Sequence, residues 1–291
     1  MKRKVFLLFI LFGIIIYSQN NPDTIKITEK QELSYLSKVI KNNLNTKTLE
    51  LCCLSINEIP EDIRNLKHLR SINICCNKLL SLPDFFSEFS SLEKINLGDN
   101  CYLNFPNSFV TLSKCNNLIE IQLYQNELSE LPKEISLITS LQILNVSGNI
   151  LKNIPHELRR LKCLKELNLS RNPVDLNSML SIIKHVPSLK KLYLNDCGIN
   201  ELPNNLEDLK NIQELILTNN KIKNIPESIS MLVNLKYLVL AGNQVEKIHH
   251  SITNLNNLKV LILGGHKINK EELDFLKLNM PNCSIIEHNI D

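Results

Sequence analysis

Several residues and motifs that mark particular functions are missing from this chain of 291 residues. It has no tryptophan and only six tyrosines, so it offers few of the aromatic platforms that a glycan-binding surface needs. It also contains no P-loop, G-x-S-x-G, H-E-x-x-H or Cys-x-x-Cys motif, and such motifs are the usual sequence signs of catalysis. We therefore expect a protein that is not an enzyme and that needs neither a cofactor nor a metal ion.

An excess of charge is missing as well, apart from the first residues. The formal net charge is +3, and Lys2, Arg3 and Lys4 account for all of it, which leaves 30 basic and 30 acidic side chains in the remaining chain. No other run of basic residues occurs. Because nucleic-acid binding depends on neutralising many phosphates, the sequence predicts no nucleic-acid partner.

Long apolar runs are limited to one, Val5–Ile16, which directly follows the three cations. A charged segment before 7–15 apolar residues is typical of a secretory signal peptide, and a membrane span needs about 20. We predict a signal peptide over residues 1–18, export to the periplasm, cell surface or medium, and no stable membrane span after cleavage. An uncleaved anchor is the alternative. The first cysteine is Cys52, so no lipoprotein cysteine follows the run.

The rest of the chain repeats one short pattern at a nearly constant spacing, L-x-x-[LI]-x-L-x-x-N-x-[LVI]-x-x-[LI]-P. Ten copies, over residues 46–268, open at Thr46, Leu69, Leu92, Leu118, Leu141, Leu164, Leu189, Ile212, Leu235 and Leu258. Each copy is too short to bury its own apolar face, so the period predicts a solenoid. Residues 19–45 are predicted to be a linker and capping helix, with helical spacing over 28–44. Residues 269–291 are predicted to be a C-terminal cap with a helix and a possible last strand.

Two columns of the repeat have a clear physical role. An asparagine ends most predicted strands, where its amide can pair the backbone groups of the turn: Asn77, Asn100, Asn126, Asn149, Asn172, Asn220 and Asn243. Leu54, Cys197 and His266 replace it in three copies. A proline then fixes φ where the chain turns away from the strand, as at Pro60, Pro83, Pro106, Pro132, Pro155, Pro203 and Pro226.

The segments LRSINICCNKLLSLP, LIEIQLYQNELSELP, LQILNVSGNILKNIP and IQELILTNNKIKNIP resemble the leucine-rich repeat superfamily, in its 23-residue class with a Leu-Pro or Ile-Pro step. Bacterial exported repeat proteins and Ras-suppressor-type scaffolds belong to this class. The resemblance implies an α/β fold, a right-handed horseshoe with a parallel sheet on the concave side and an irregular or helical convex side. It also implies protein binding, without naming a partner.

Two copies are longer than the rest. The third, Leu92–Asn117, has its extra residues near 113–117, and the sixth, Leu164–Ser188, lacks the proline step. The segment 175–186 of the sixth copy predicts a convex-side helix. Such insertions are either binding loops or tolerated variation.

Nine cysteines in an exported chain raise the question of disulfides. Cys52-Cys53 and Cys75-Cys76 are two adjacent pairs that occupy the same positions of successive repeats, on neighbouring predicted strands. Parallel strands lie about 4.8 Å apart, which suits a bridge between Cys52 and Cys75 or between Cys53 and Cys76. The alternatives are a zinc site and reduced cysteines without a special role.

The candidate binding site is a set of solvent-facing strand positions. The fifth repeat position is polar up to Asn168 and apolar from Tyr193 onward, and the third position is apolar in the last two copies. The predicted apolar patch comprises Tyr193, Ile216, Tyr237, Val239, Val260 and Ile262. Lys165, Lys190, Lys236 and Lys259 follow its edge. Exposed apolar patches with a polar rim mark interaction sites, although β-propensity alone also favours these residues.

Three functions remain open at this point. The first is an exported module that binds a protein partner on its concave face. The second is a self-associating envelope or adhesion component, a homo-oligomer that pairs through the apolar half. The third is a glycan-binding surface, for which the aromatic residues are too few.

Overall fold

A computed structural model describes residues 23–29 and 34–287, so the predicted signal peptide lies outside the described residues. Two compact units share the chain, the first up to Leu118 and the second from Ile119. No helix in the described ranges is long and apolar enough to cross a membrane. Each unit is a stack of short parallel strands joined by helical turns, which confirms the predicted α/β repeat solenoid.

The first unit holds four parallel strands that pair in chain order. The strands are β1 (Thr24–Lys26), β2 (Thr48–Glu50), β3 (Ser71–Asn73) and β4 (Lys94–Asn96). The other side carries α1 (Leu36–Asn42), α2 (Phe105–Leu112) and the 3₁₀ helices Glu61–Asn65 and Asp84–Glu88. Phe86 and Phe89 pack edge-to-face, with ring centres 5.3 Å apart, in the core of this unit.

The second unit holds eight parallel strands of the same kind and a small two-stranded ribbon. The eight are β5 (Glu120–Gln122), β6 (Ile143–Asn145), β7 (Glu166–Asn168), β8 (Lys191–Tyr193), β9 (Glu214–Ile216), β11 (Tyr237–Val239), β13 (Val260–Ile262) and β14 (Ser284–Ile286). The ribbon pairs β10 (Asn224–Ile225) with β12 (Lys247–Ile248). Because β10 and β12 leave the main sheet, β9 pairs with β11, and β11 pairs with β13.

Short helices complete each repeat of the second unit. They are the α-helices α3 (Leu176–Ile183) and α4 (Lys270–Asn279), and the 3₁₀ helices Lys133–Leu137, His156–Arg160, Leu206–Leu209, Glu227–Met231 and His250–Asn254. Three of these 3₁₀ helices directly follow Pro132, Pro155 and Pro226. A proline at that position confirms the predicted turn away from the sheet.

In every three-residue strand except β14, the central residue belongs to the core. Leu215, Leu238 and Leu261 align across β9, β11 and β13 and are at most 1% exposed. Their neighbours on the same strands point to the opposite face, as period-two alternation requires. The sheet therefore buries one continuous column of leucines and presents the other face to solvent.

The asparagine column acts as predicted. Asn220, which is 5% exposed, donates from Nδ2 to the carbonyl oxygens of Leu194 and Leu217 at 2.8 and 2.9 Å. Its Oδ1 accepts from the backbone N–H groups of Cys197 and Ile199, both at 3.0 Å. One side chain thus pairs backbone groups of two successive repeats, and buried backbone groups need such partners.

The three variants of this column behave differently. Leu54 is buried in the first copy, and Cys197 is buried with its thiol 3.5 Å from the carbonyl oxygen of Leu169. His266 is half-buried, and its Nδ1 accepts from the N–H of Ile268 in its own repeat at 3.1 Å. Cys197 therefore occupies the ladder position with weaker contacts, whereas His266 makes a local contact near the end of the stack.

The N-terminal region differs from the predicted linker and long helix. The segment Thr24–Lys26 is a strand that pairs with β2, and Ile25 and Ile27 are buried. The helix begins at Leu36, and Thr28 and Glu29 lie outside any helix. The predicted linker missed this strand because it lies before the first regular copy, where the repeat pattern gives no register. Ile25 and Ile27 alternate, and Ile25 extends the buried column next to Leu49.

The longer repeats each contain an α-helix. In the sixth copy, α3 follows Asp175, whose carboxylate accepts from the N–H of Asn177 at 3.2 Å, so the predicted helix is confirmed. In the third copy the sequence predicted extra residues without a helix. The structure places α2 there, capped by Asn104, whose Oδ1 accepts from the N–H of Asn107 at 3.2 Å. At the C-terminus, α4 and β14 correspond to the predicted helix and last strand.

Candidate functional site

The six residues of the predicted apolar patch lie on four neighbouring strands of the second unit. Register aligns them in two rows on the solvent-facing side of the sheet. The longer row runs from Tyr193 on β8 through Ile216, Val239 and Ile262. The shorter row holds Tyr237 and Val260. The strands bring together side chains that lie several repeats apart in the sequence, because one row position recurs in each repeat.

The exposure of the patch is uneven. Tyr237 is 38% exposed, while Tyr193, Ile216, Val239 and Val260 are half-buried. Ile262 is only 8% exposed, which corrects its prediction as a solvent-facing residue. It has branched side chains on both sides in its row, Val239 and Ile286. The accessible surface of the patch therefore comes mainly from its other five residues: Tyr193, Ile216, Tyr237, Val239 and Val260.

Ile286 is a member of the longer row that the sequence did not reveal. It lies on β14, in register with Ile262, and is half-buried. The segment 283–286 is recognisable as a strand, but Ile286 lies outside the ten regular copies. The repeat period therefore gives no register for it. With Ile286 the longer row is apolar over five successive strands.

The repeat position of the shorter row carries charged residues on the three strands before Tyr237, namely Glu166, Lys191 and Glu214. Lys191 Nζ lies 3.3 Å from the carboxylate of Glu214 and 4.0 Å from that of Glu166, each on an adjacent strand. Partial burial is the largest single effect on Lys191 and lowers its pKa, but the hydrogen bond to Glu214 and the negative charges around the ammonium group together raise that pKa above its ordinary value. Partial burial and the carboxylate of Glu166 raise the pKa of the Tyr193 hydroxyl. The Tyr193 hydroxyl therefore stays protonated and neutral at physiological pH.

On the strands before Tyr193, the repeat position of the longer row carries polar side chains that hydrogen-bond to one another and to the backbone. Asn145 donates from Nδ2 to Gln122 Oε1 at 2.7 Å, and its Oδ1 accepts from the N–H of Ser147 at 3.0 Å. Asn168 Oδ1 accepts from the N–H of Ser170 at 3.0 Å in the same way. These side chains thus provide hydrogen-bond acceptors for the turn that follows the strand. Tyr193, Ile216 and Val239 cannot serve it in this way, so the change along the row is a change of role.

The four paired cysteines lie together at the ends of β2 and β3. Cys52 and Cys75 form a disulfide, with Cα atoms 4.9 Å apart. The thiol of Cys53 lies 3.4 Å from Cys52 Sγ. A hydrogen bond with Cys53, together with burial, raises the pKa of the Cys76 thiol to about 11. Of the two bridges that strand spacing allows, the structure contains Cys52–Cys75 and leaves Cys53 and Cys76 as thiols.

Metal-binding geometry does not occur in the described part of the chain, where no group of three His, Cys, Asp or Glu side chains could hold an ion. The zinc alternative for the four cysteines has no support from this geometry. The adjacent residues His249 and His250 make separate contacts. His249 Nδ1 accepts from the N–H of Ser251 at 3.2 Å, and the His250 ring stacks on Phe275 with ring centres 4.2 Å apart.

Family models described as leucine-rich repeats match residues 140–161, 187–245 and 210–268. These matches fall on the same repeats that form the ladder of leucines and asparagines. The matched residues are leucine-rich repeats. Proteins of the leucine-rich repeat superfamily are typically non-enzymatic scaffolds for interactions. No curated protein sequence matches this leucine-rich repeat protein.

Solved structures give the same fold. An internalin, InlF of Listeria monocytogenes, superposes with a TM-score of 0.65 at 18% identity, over 92% of this chain and 82% of that one. FLRT2, in an octameric complex with Latrophilin 3 and Unc5D, gives 0.69 at 20% identity, over 86% and 78%. TLR13, in a complex with ssRNA13, gives 0.70 at 26% identity, over 91% of this chain but only 40% of its own.

Proposed function

We propose that this leucine-rich repeat protein is a non-enzymatic module that binds a protein partner through the solvent-facing sheet of its second unit. The observation that carries the proposal is the longer row of this sheet, which is apolar on five successive strands from Tyr193 to Ile286. At about 4.8 Å per strand, this row extends over roughly 20 Å, a length that fits within a standard protein interface of about 800 Å² per partner.

Four of the five residues in this row are only half-buried, and Ile262 is the exception. The core of the same strands is already filled by buried leucines on the opposite face. On earlier strands, the polar residues at this position accept hydrogen bonds from the turn that follows the strand. The apolar residues make no such bond, and all except Ile262 leave part of their surface exposed. Tyr237, with 38% of its surface exposed, provides an amphipathic side chain of the kind that anchors interfaces.

The class of partner is inferred from the residues of the patch and not from the similar solved structures. The similar structures include both a protein assembly, that of FLRT2, and an RNA complex, that of TLR13. The patch itself is made of Ile, Val and Tyr side chains, and the carboxylates of Glu166 and Glu214 lie beside it. Apolar side chains next to carboxylates favour a protein surface over a phosphate backbone.

Export is part of the proposal. It is supported by the three cations and the short apolar run at the start of the sequence, and by the Cys52–Cys75 geometry, since disulfides persist outside the reducing cytosol. An exported scaffold has no need of the catalytic motifs that the sequence lacks.

Capture of a partner by matched variants tests the proposal. The mature protein, the double variant Ile216→Ser and Val239→Ser, and the control Ile143→Ser are each cross-linked to the surface fraction of the source organism. Ile143 lies on the same sheet face, is also half-buried and is outside the patch. We expect one protein species that wild type and the control both capture and that the double variant loses.

Two outcomes would contradict this proposal. Equal capture by all three proteins would place the binding site elsewhere. A wild-type dimer in light scattering, reduced to a monomer in the double variant, would assign the patch to self-association.

A further inference from the structure

A row of lysines follows the edge of the sheet beside the apolar patch. Lys165, Lys190, Lys236 and Lys259 occupy the second position of their repeats, and we call them the lysine row. Lys165 and Lys236 donate to Gln142 Oε1 and Gln213 Oε1 in the preceding repeats, at 2.8 and 2.9 Å. Lys190 lies 3.4 Å from a backbone carbonyl oxygen, that of Asn211. The ammonium groups of these three lysines contact neutral oxygen atoms, which do not neutralise their charge.

The same repeat position is neutralised in the first unit. There Lys47 pairs with the carboxylate of Asp23 at 2.7 Å, and Arg70 pairs with that of Glu93 at 3.1 Å. Within the ranges that the structure describes, no member of the lysine row has a carboxylate within 4.0 Å. The repeat geometry thus permits ion pairs at this edge, and the second unit carries the cations without them.

The acidic residues of the neighbouring strands do not compensate for the lysine row. Glu166 and Glu214 both turn to Lys191, which lies between them on the shorter row. The next two members of that row, Tyr237 and Val260, carry no charge. The apolar patch is therefore bordered along one edge by four lysines, and the two carboxylates of the neighbouring row are both directed at Lys191 instead.

We propose that the partner is a protein segment whose apolar side chains contact the patch and whose Asp or Glu side chains face the lysine row. This inference rests on the proposed function and specifies its partner. A charge pattern complementary to a row of cations steers association and fixes the register of the bound segment. The carboxylates should lie on one side of the apolar residues, since the lysines lie on one edge of the patch.

A polyanion such as single-stranded nucleic acid is the competing occupant, and the structure favours it less. The four cations form a single row, and Glu166 and Glu214 lie in the neighbouring row of the same face. A phosphate chain on the lysine row would therefore lie close to these carboxylates. The binding of oligo(dT) is therefore included as an outcome of the test.

The probe is a random dodecapeptide library displayed on phage and selected on the mature protein. Selection is repeated on the patch variant Ile216→Ser with Val239→Ser, and on the row variant with Lys165, Lys190, Lys236 and Lys259 each changed to Gln. The matched control changes Lys47 and Arg70 to Gln, which alters the same repeat position where the cations are already paired. Binding of synthetic selected peptides, and of analogues with Asn or Gln in place of Asp or Glu, is then measured by fluorescence anisotropy.

We expect wild type and the control to select peptides rich in apolar and acidic residues. The row variant should still select apolar peptides but lose the acidic enrichment. Each carboxylate changed to an amide should weaken binding to wild type roughly two- to fivefold, with a smaller effect at high salt and none on the row variant.

The outcomes separate the two levels of the proposal. Apolar peptides without acidic enrichment would overturn the acidic partner and leave the protein-binding function standing. Peptides that bind the patch variant as well as wild type, or no selected peptides at all, would overturn both. Displacement of the peptides by oligo(dT), dependent on the lysine row, would replace the acidic protein with a nucleic acid.

Discussion

The side-chain amide of Asn220 donates to the carbonyl oxygen of Leu194, in the preceding repeat, at 2.8 Å. This bond joins two successive repeats at a buried position just beyond the ends of β8 and β9. The same asparagine also accepts from Cys197 and Ile199. Stability of the stack therefore depends on single polar side chains as well as on the leucine column.

We expect Asn220→Ala to lower the free energy of unfolding by about 3 kcal/mol or more, because several buried backbone groups lose their partner at about 1–3 kcal/mol each. The measurement is urea unfolding followed by circular dichroism. Asn145→Ala is the control, since Asn145 is half-buried and should cost about 1 kcal/mol or less. Equal losses of stability in the two variants would show that the buried asparagine contributes no more than the half-buried one.

The Cys52–Cys75 bridge should be present in exported protein. Peptide mapping without reductant should recover the cross-linked peptides, and Cys52→Ser should lower the free energy of unfolding by about 3 kcal/mol, as the chain-entropy model gives for a loop of this size. Cys163→Ser, at an exposed cysteine outside the cluster, is the control. Complete alkylation of Cys52 and Cys75 without reductant would refute the bridge.

Cys76 should react slowly with iodoacetamide below pH 10. Its thiol has a pKa raised to about 11, chiefly by its hydrogen bond with Cys53, and only the thiolate is the nucleophile. Because the thiolate fraction grows with pH below the pKa, the alkylation rate should rise about tenfold per pH unit between pH 8 and 10. Cys53→Ala should speed the reaction at pH 8. A rate that levels off near pH 9 would contradict the raised pKa.

Export makes a separate prediction about the N-terminus. If residues 1–18 are a signal peptide, intact-mass measurement of the native protein should give a mature N-terminus between residues 18 and 21. A variant with Lys2, Arg3 and Lys4 changed to Glu should accumulate uncleaved in the cytosol. A full-length wild-type product in the cytosol would show that the protein is not exported.

The repeat pattern was sufficient for the parts of the fold that are set by burial. Leu215 and Leu238 align because a fixed period places each on the inner side of a short strand, and Asn220 follows at a fixed distance. The strand at Thr24–Lys26 could not be predicted in this way. It precedes the first regular copy, and with only three residues it is too short to show a period of its own.

The candidate site was predictable in position and less so in exposure. Period-two alternation places Ile216, Val239 and Ile262 on one face, and register confirms that placement. The low exposure of Ile262 depends on the side chains in its row, including Ile286. Sequence periodicity specifies the direction of a side chain but not how far its neighbours cover it.

The final prediction compares the two faces of the same strands. Ile216 and Val239 are half-buried on the solvent-facing row, whereas Leu215 and Leu238 are at most 1% exposed in the core. Changing Ile216 and Val239 together to Ser should leave the circular dichroism spectrum and the melting transition nearly unchanged. Leu215→Ala or Leu238→Ala should each cost about 2–5 kcal/mol, through lost burial and the cavity that remains.

Thermal and urea unfolding of the double variant and of the two leucine variants, measured side by side, decide this prediction. Ile262 is left unchanged, because a serine at a position only 8% exposed would mix a loss of burial with the loss of a contact surface. If the double serine variant unfolds as readily as the leucine variants, the row contributes to the core and its apolar residues need no partner. If it stays folded and loses the captured protein, the two faces of each strand have separate roles, one in stability and one in binding.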